Sequence, residues 1–251
     1  LLENYNDLIL NYSKDITASE ITYTETTTKL YFANSEGTFV EQEKMDIQSF
    51  ISPTARRGDV SASATTGRDS SCSFNCMYGA EEDILETCRV ATALLDASQV
   101  KADVYPVVCD HALSSLFVHE AFGHLSEADG MYKNPAKAST MALGRLVGNQ
   151  NLTIYDTGEY PNQRGYLQYD DEGVLCRRSY LVQEGVLVGR LHSRETAGVM
   201  GEEPTGNARA ISYRFPPIVR MRNTCITPGK YGFEDLISDI KLGVYAVGTG
   251  K

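Results

Sequence analysis

The sequence contains no tryptophan, no excess of positive charge and no long apolar run, and the last two absences limit what the protein can be. Its 33 acidic residues outnumber 23 lysines and arginines, so the formal net charge is −10. Such a chain lacks the basic footprint with which proteins hold DNA or RNA. No apolar run approaches the roughly 20 residues that cross a bilayer. We therefore expect neither direct nucleic-acid binding nor a membrane-spanning segment.

The sequence also lacks a C-x-x-C pair, although its six cysteines are an even number that permits disulfides. The spacing of Cys72 and Cys76 is by itself a weak metal signal. Cys88 and Cys109 have apolar neighbours in the sequence, where a buried free thiol is usual. This usage favours a reducing, cytoplasmic setting. The chain begins at Leu1 rather than at a methionine, so the lack of a targeting segment in this sequence is no evidence about where the protein is located.

The composition that remains is that of a globular protein of 251 residues, 42% hydrophobic and 22% charged. Apolar residues at helical spacing predict helices over residues 1–12, 80–95, 112–127 and 233–245. Alternating or β-branched residues predict strands over residues 21–28, 38–41, 104–108, 152–155, 166–169, 186–191 and 218–221, with another strand ending at Gln183. Because helices and strands come in unequal blocks, we predict an α+β fold of mainly antiparallel sheets with packed helices.

The predicted domain boundary lies near Val100. Residues 1–100 would form part of an N-terminal α+β domain. Residues 101–251 would form a second domain that contains the histidine-bearing helix and a β-meander. The connection over residues 134–149 is rich in turn residues and is expected to be a loop.

The most informative stretch is the H-E-x-x-x-H motif formed by His119, Glu120 and His124, which holds two of the four histidines. Neutral imidazoles bind zinc well, and a carboxylate beside a metal-bound water can take its proton. The usual zinc-protease spacing, H-E-x-x-H, puts both histidines on one helical face. Five residues at about 100° each leave the two histidines roughly 140° apart in a regular helix. A π-type turn, or a break at Gly123, would bring them together.

The alternative is a buried helix with two incidental histidines and a capping carboxylate. The apolar residues Leu116, Phe117 and Val118 that lead into the motif fit either interpretation, because active sites and cores both need them.

A longer series of motifs resembles the TldD/PmbA family, once called modulators of DNA gyrase. The series begins with VYPVV at 104–108 and VHEAFGH at 118–124, followed by Glu127 and Asp129. It continues with DTG at 156–158, RG at 164–165, DDEG at 170–173, residues 181–192, PTGN at 204–207, Arg209 and RMRNT at 220–224. The resemblance is strong from about residue 80 to residue 245 and weak before that.

The resemblance implies a cytoplasmic zinc peptidase that acts on short or unfolded peptides. It implies that His119 and His124 bind zinc and that Glu120 activates the water. TldD-type subunits carry this motif and PmbA-type partners lack it, so a homodimer or a heterodimer with a PmbA-type paralogue is expected. The family's third zinc ligand, a cysteine in a glycine-rich segment, has no counterpart here. The chain therefore resembles a truncated central fragment, and two histidines alone hold zinc poorly.

Other polar residues are weaker candidates. Glu127 is either a substitute ligand or a carboxylate outside the ligand set, and we favour the second. Arg209 is a candidate for binding a peptide carboxylate or carbonyl, with a surface salt bridge as the alternative. We expect structural roles for His111 near a helix N-cap, for His192 at a strand end and for Asn207 in a turn.

Two functions are compatible with these observations. The first is a zinc-dependent peptidase with Glu120 as the proton carrier. The second is a non-enzymatic scaffold or partner subunit in which the metal site is incomplete.

Overall fold

The structure is a computed structural model that describes residues 1–248. It divides into two compact units, neither of which is one continuous segment. The first unit comprises Leu1–Lys29, Glu43–Ala102 and Pro161–Arg164. The second comprises Leu30–Gln42, Asp103–Tyr160 and the chain from Gly165 onward. The long hairpin near the N-terminus contributes its strands mainly to the first unit and its tip, residues 30–42, to the second.

The first unit is built on a four-stranded sheet with two helices. The strands are β1 (Ile16–Ala33), β2 (Phe39–Arg57), β3 (Val60–Ser63) and β4 (Asp69–Ser70), and the helices are α1 (Leu2–Leu10) and α2 (Glu81–Ala93). Strand β2 lies between β1 and β3 and also pairs with β4, and its pairings with β3 and β4 are antiparallel. Three acidic residues in the first turn of α2 match the helix dipole.

The core of the first unit joins both helices to the sheet. Apolar residues from α1, β2 and α2 are buried together, among them Ile9, Ile51 and Ile84. Tyr5 is also buried, and its hydroxyl donates to the carbonyl oxygen of Met77 at 2.6 Å. Burying the phenol therefore leaves its polar atom paired.

Within the described residues, the second unit contains three sheets. Its strands are β5 (Val107–Cys109), β6 (Ile154–Thr157), β7 (Ser179–Gln183), β8 (Val186–Leu187), β9 (Ala208–Arg209), β10 (Ile218–Val219), β11 (Asn223–Ile226) and β12 (Val244–Ala246). The largest sheet has the order β11-β6-β7-β8 with antiparallel neighbours. Strands β9 and β10 form an antiparallel pair, whereas β12 and β5 are parallel.

The helices of the second unit are α3 (His111–Val118), α4 (Pro135–Thr140), α5 (Arg194–Met200) and α6 (Phe233–Ile237). A π-helical turn, His119–Gly123, continues α3 and leads into a 3-10 turn, His124–Ser126. The end of α3 packs on the largest sheet, because Val118, Ile154, Leu181 and Met221 share one buried cluster.

The predicted α+β class with mainly antiparallel sheets is confirmed. Several individual predictions are wrong. The helix predicted over 233–245 ends at Ile237, and Val244–Ala246 forms β12 instead. Gly243 allows this, since a Cβ there would lie 2.9 Å from the carbonyl oxygen of Pro106. The close approach lets β12 run beside β5.

Of the strands predicted for the meander, one is not formed and another is shorter than predicted. Residues 166–169 form no regular strand, although Tyr169 pairs with Leu175 in an isolated antiparallel bridge. The N–H and the carbonyl oxygen of Tyr169 bond the side-chain amide of Gln42. Strand β8 stops at Leu187 rather than continuing to Leu191. The backbone of Leu191 instead bonds Ser126 and Ala128.

Helices α4 and α5 were not predicted. Helix α4 lies in the connection over 134–149 that we expected to be a loop, and Asn134 caps it through the N–H groups of Ala136 and Lys137. Helix α5 begins with a capping box between Ser193 and Thr196 and ends at Gly201 with a positive φ of 69°. No helix in the described part of the chain is long and apolar enough to cross a membrane.

Candidate metal centre

Helix α3 brings the H-E-x-x-x-H motif to its position, and Asp110 fixes where the helix begins. The Asp110 carboxylate accepts from the N–H of Leu113 at 2.8 Å and from that of Gly248 at 2.9 Å. These bonds, led by the one from Leu113, lower the pKa of Asp110. His111 is the first residue of α3 and is exposed, so it belongs to the helix start rather than to the motif.

The π turn decides where the two motif histidines point. The N–H of His124 donates to the carbonyl oxygen of His119, five residues back instead of four. The wider turn brings the two imidazoles together, with their centroids 4.7 Å apart and their planes at 88°. The structure thus contains the distortion that this spacing requires for both rings to approach one ion.

Three side chains converge on one point in this turn. A ligand atom from each of His119, Glu120 and His124 lies within 4.8 Å of the others. His119 and Glu120 are exposed and His124 is half-buried, so the point is open to solvent. Two imidazoles and a carboxylate suit zinc, which binds neutral histidine and carboxylate oxygen. The two imidazoles therefore fit such an ion as ligands, the carboxylate is close enough to contact either the ion or a water bound to it, and the point is accessible to solvent.

Gly123 is required by packing and not by its backbone conformation, since its φ of −64° is one that any residue adopts. A Cβ at this position would lie 1.9 Å from the sulfur of Met221. Gly123 and Met221 are both buried. The glycine therefore lets the π turn approach the segment that follows β10.

The buried carboxylate of Glu127 contacts the imidazole of His124. Glu127 Oε1 lies 3.1 Å from Nδ1 of His124, and Glu127 Oε2 accepts from Arg220 at 3.0 Å. Glu127 is outside the convergent group of His119, Glu120 and His124. Its position corresponds to the carboxylate outside the ligand set that we favoured from the sequence.

Asp156 anchors the segment that carries Arg220. Its carboxylate is 1% exposed and accepts from the Asn207 amide, the Arg222 N–H and the Thr224 hydroxyl. Burial raises the pKa of Asp156. Asn207 also donates to the carbonyl oxygen of Arg220 at 3.0 Å, so its role extends beyond a turn.

Arg209 lies at the end of β9, next to other arginines. Desolvation lowers the pKa of its guanidinium, and the charges of Arg220 and Arg222 lower it further. The same guanidinium also experiences the negative charges of Glu127 and Asp171. Arg209 is therefore electrostatically linked to the residues around His124, while the residue itself remains exposed.

Two family models match almost all of the chain. Residues 1–98 match the central domain of PmbA/TldA metallopeptidases, and residues 102–250 match their C-terminal domain. The chain belongs to the PmbA/TldA metallopeptidase family. The resemblance found in the sequence motifs is thereby confirmed.

Curated relatives in this family carry metalloprotease names. A metalloprotease of Synechocystis is 41% identical over 249 residues, which are 98% of this chain and 53% of that protein. One from Methanocaldococcus jannaschii is 32% identical, covering 99% of this chain and 56% of the relative. A zinc metalloprotease TldD homolog of Saccharolobus solfataricus is 38% identical over 61% of this chain and 34% of the relative. The chain spans about half the length of the first two relatives.

Solved structures in the family share the fold. A protein from Thermotoga maritima described as a modulator of DNA gyrase matches with a TM-score of 0.81 at 23% identity, over 98% of this chain and 56% of that one. TldE from Thermococcus kodakarensis matches with a TM-score of 0.71 at 20% identity, over 98% and 55%. At these identities the likeness concerns the fold alone.

The sequence did not predict the roles of several residues around the H-E-x-x-x-H motif. Arg220 and Asp156 lie in stretches that carried the family resemblance, but nothing in their spacing indicated a contact with Glu127 or Asn207. His192 is buried at 1% exposure and bonds Thr196 and Glu202 rather than the motif histidines. All six cysteines are free thiols.

Proposed function

We propose that the protein is a zinc-dependent peptidase of the TldD type that hydrolyses short or unfolded peptides. The observation that carries this proposal is the convergence of His119, Glu120 and His124 within 4.8 Å on the π turn. Family membership and a relative named as a zinc metalloprotease support the choice of metal. Open access to the point of convergence supports a peptide substrate.

Each residue of the motif has a separate role in this proposal. His119 and His124 hold the ion through imidazole nitrogens. Zinc bound there would polarise the scissile carbonyl and acidify a water molecule. Glu120 takes the proton of the attacking water and delivers it to the leaving amine. Its position next to His119 and its exposure suit a group that must reach both water and substrate.

A third protein ligand completes the site in this proposal, because zinc sites of this kind use three protein ligands. The resemblance assigns that place to a cysteine in a glycine-rich segment that this sequence does not include. Glu127 does not take the place, since both of its oxygens already contact His124 and Arg220.

The proposal also includes a substrate contact and a partner subunit. We propose that Arg209 binds a carboxylate or carbonyl of the peptide, a role that its exposure and position near Arg220 support. The protein would act in the cytoplasm as a homodimer or with a PmbA-type paralogue. The TldE fold match supports a related partner subunit. We also propose, as the sequence predicts, that the boundary between the two domains lies near Val100.

The decisive experiment compares Glu120→Gln, His119→Ala and the wild type, each with natural termini. Zinc per chain is measured by elemental analysis, and cleavage is followed on an unfolded peptide with and without a chelator. We expect about one zinc in the wild type and in E120Q, none in H119A, and chelator-sensitive cleavage only in the wild type. Normal cleavage by E120Q would refute the role of Glu120. Absence of zinc from the wild type would favour the scaffold alternative.

A further inference from the structure

We propose that Glu127 is a positioning residue that holds the His124 imidazole in one tautomer and one orientation, with Nε2 directed to the metal. The inference rests on the proposed zinc site and adds a residue to it. It concerns the protein before any ion binds, because the contacts that carry it exist in the chain itself.

The hydrogen bond between the two side chains determines the tautomer. Glu127 Oε1 lies 3.1 Å from His124 Nδ1, and Oε2 accepts from the Arg220 guanidinium at 3.0 Å. An ionised carboxylate only accepts hydrogen bonds, so whenever the ring carries a single proton this contact places it on Nδ1. The lone pair of the ring is then on Nε2, which is the form that a metal needs.

The Glu127 backbone is held independently of its side chain. The N–H of Ala128 donates to the carbonyl oxygen of Leu191 at 3.1 Å, and the N–H of Leu191 donates to that of Ser126 at 2.9 Å. Glu127 is only 8% exposed. A carboxylate attached to so fixed a segment loses little further freedom when it bonds the ring.

Arg220 is held just as firmly on the other side. Its N–H donates to the carbonyl oxygen of Asn207 at 2.8 Å, and its own carbonyl oxygen accepts from the Asn207 amide at 3.0 Å. The preceding residue, Val219, donates its N–H to Asp129 at 2.7 Å. The guanidinium itself also donates to the carbonyl oxygen of Val219 at 3.1 Å. It occupies one carboxylate oxygen of Glu127, and the other oxygen contacts His124.

Such support has a measurable effect on metal binding. When a ligand ring is free to rotate and to exchange tautomers, binding must select one state from several. Removing the partner of a metal-bound histidine typically weakens metal affinity about 10- to 100-fold. We expect a loss in this range when Glu127 no longer accepts from Nδ1.

Glu127→Gln is the sharpest variant, because it keeps the volume of the side chain and is expected to fold. Arg220 can donate only to the amide oxygen, so the amide nitrogen would face His124. An amide N–H there requires an acceptor on Nδ1, which moves the ring proton to Nε2. E127Q should therefore reverse the tautomer of His124, whereas Glu127→Ala should leave both tautomers populated.

The test uses the protein with its natural termini. Ring nitrogen chemical shifts of His124 are measured by NMR in the metal-free protein, and zinc affinity by competition with a chromophoric chelator. The variants are E127Q, E127A and Arg220→Ala, with Glu195→Gln as the matched control. Glu195 is an exposed carboxylate that accepts from the Tyr132 hydroxyl at 3.2 Å and has no part in holding His124, so its substitution should change neither measurement.

We expect wild-type His124 to carry its proton on Nδ1, E127Q to carry it on Nε2, and both Glu127 variants to bind zinc about 10- to 100-fold more weakly. The double variant E127A/R220A should bind zinc no more weakly than E127A, since Arg220 acts through Glu127. Wild-type tautomer and affinity in E127Q would overturn the role of Glu127 while leaving the zinc site intact. A wild-type protein that binds no zinc would overturn the peptidase proposal and, with it, this inference.

Discussion

The N–H of His124 donates to the carbonyl oxygen of His119, and this i→i+5 bond brings the two imidazole centroids to 4.7 Å. In a regular α-helix, residues five apart point roughly 140° away from each other. The candidate metal centre thus depends on one widened turn of backbone. Whatever stabilises that turn stabilises the site.

Gly123 is the first residue to test, because substituting alanine there forces a methyl group against Met221. The added Cβ would lie 1.9 Å from the Met221 sulfur. We expect Gly123→Ala to lower the free energy of unfolding by about 1–3 kcal/mol, the usual cost of overpacking a core. Denaturant unfolding measures the loss, and zinc competition should show weaker binding as the turn shifts.

A second substitution shows whether the clash is the cause. Met221→Ala removes the colliding sulfur, and in that background the further change G123A should cost much less than it does in the wild type. The control is Gly198→Ala in α5, where a Cβ meets nothing within 4 Å. Equal costs of G123A in both backgrounds would contradict the packing explanation.

Local sequence signals predicted the parts of the fold that depend on local chemistry. Helix α2 follows from apolar spacing and from the acidic residues in its first turn. The helix N-cap predicted near His111 is present, and Asp110 provides it. The H-E-x-x-x-H spacing likewise predicts that chelation requires a distorted helix, and the structure has a π turn at that point. These features depend on residues a few positions apart.

The remaining features depend on residues far apart in the sequence. Residues 244–246 form a strand because β5 lies beside them, and no pattern within 233–245 encodes that neighbour. Within 166–169, Tyr169 pairs with Leu175 only in an isolated bridge, and its N–H and carbonyl oxygen bond the side chain of Gln42, more than a hundred residues away. The pairing of Glu127 with Arg220 joins residues 93 positions apart. Spacing along one segment contains no information about such contacts.

Arg209 is expected to act in substrate binding rather than in chemistry. Arg209→Ala should raise KM for an unfolded peptide severalfold and leave kcat nearly unchanged, because the guanidinium would bind substrate and transition state alike. Steady-state kinetics on peptides with free and amidated C-termini would identify the group that it binds. A larger effect on the free carboxylate would indicate that Arg209 pairs with the chain end.

Arg214 offers the matched control, since it lies in the connection that follows Arg209 and leads to β10, and it contacts the ring of Tyr213. Arg214→Ala should leave both kinetic constants unchanged. A fall in kcat without a change in KM for R209A would contradict a binding role.

His192 should make the stability of the protein sensitive to mild acid. The ring is 1% exposed, and burial lowers its pKa below the ordinary 6.5. Glu202 accepts from one ring nitrogen and Thr196 contacts the other, so the neutral ring is fully paired. The charge of Arg190 lowers this pKa further. The charges of Glu202 and Asp129 raise it, but they do not reverse the effect of burial.

The direction of the effect follows from proton uptake. Below pH 6.5 the unfolded chain binds a proton at this histidine before the folded protein does, so the free energy of unfolding falls as pH is lowered. Denaturant unfolding at pH 7.5 and 5.5 should show a loss that is smaller in His192→Gln than in the wild type. His111→Gln removes an exposed histidine instead and should retain the wild-type loss. If H192Q and H111Q lose the same stability between the two pH values, the acid sensitivity arises elsewhere.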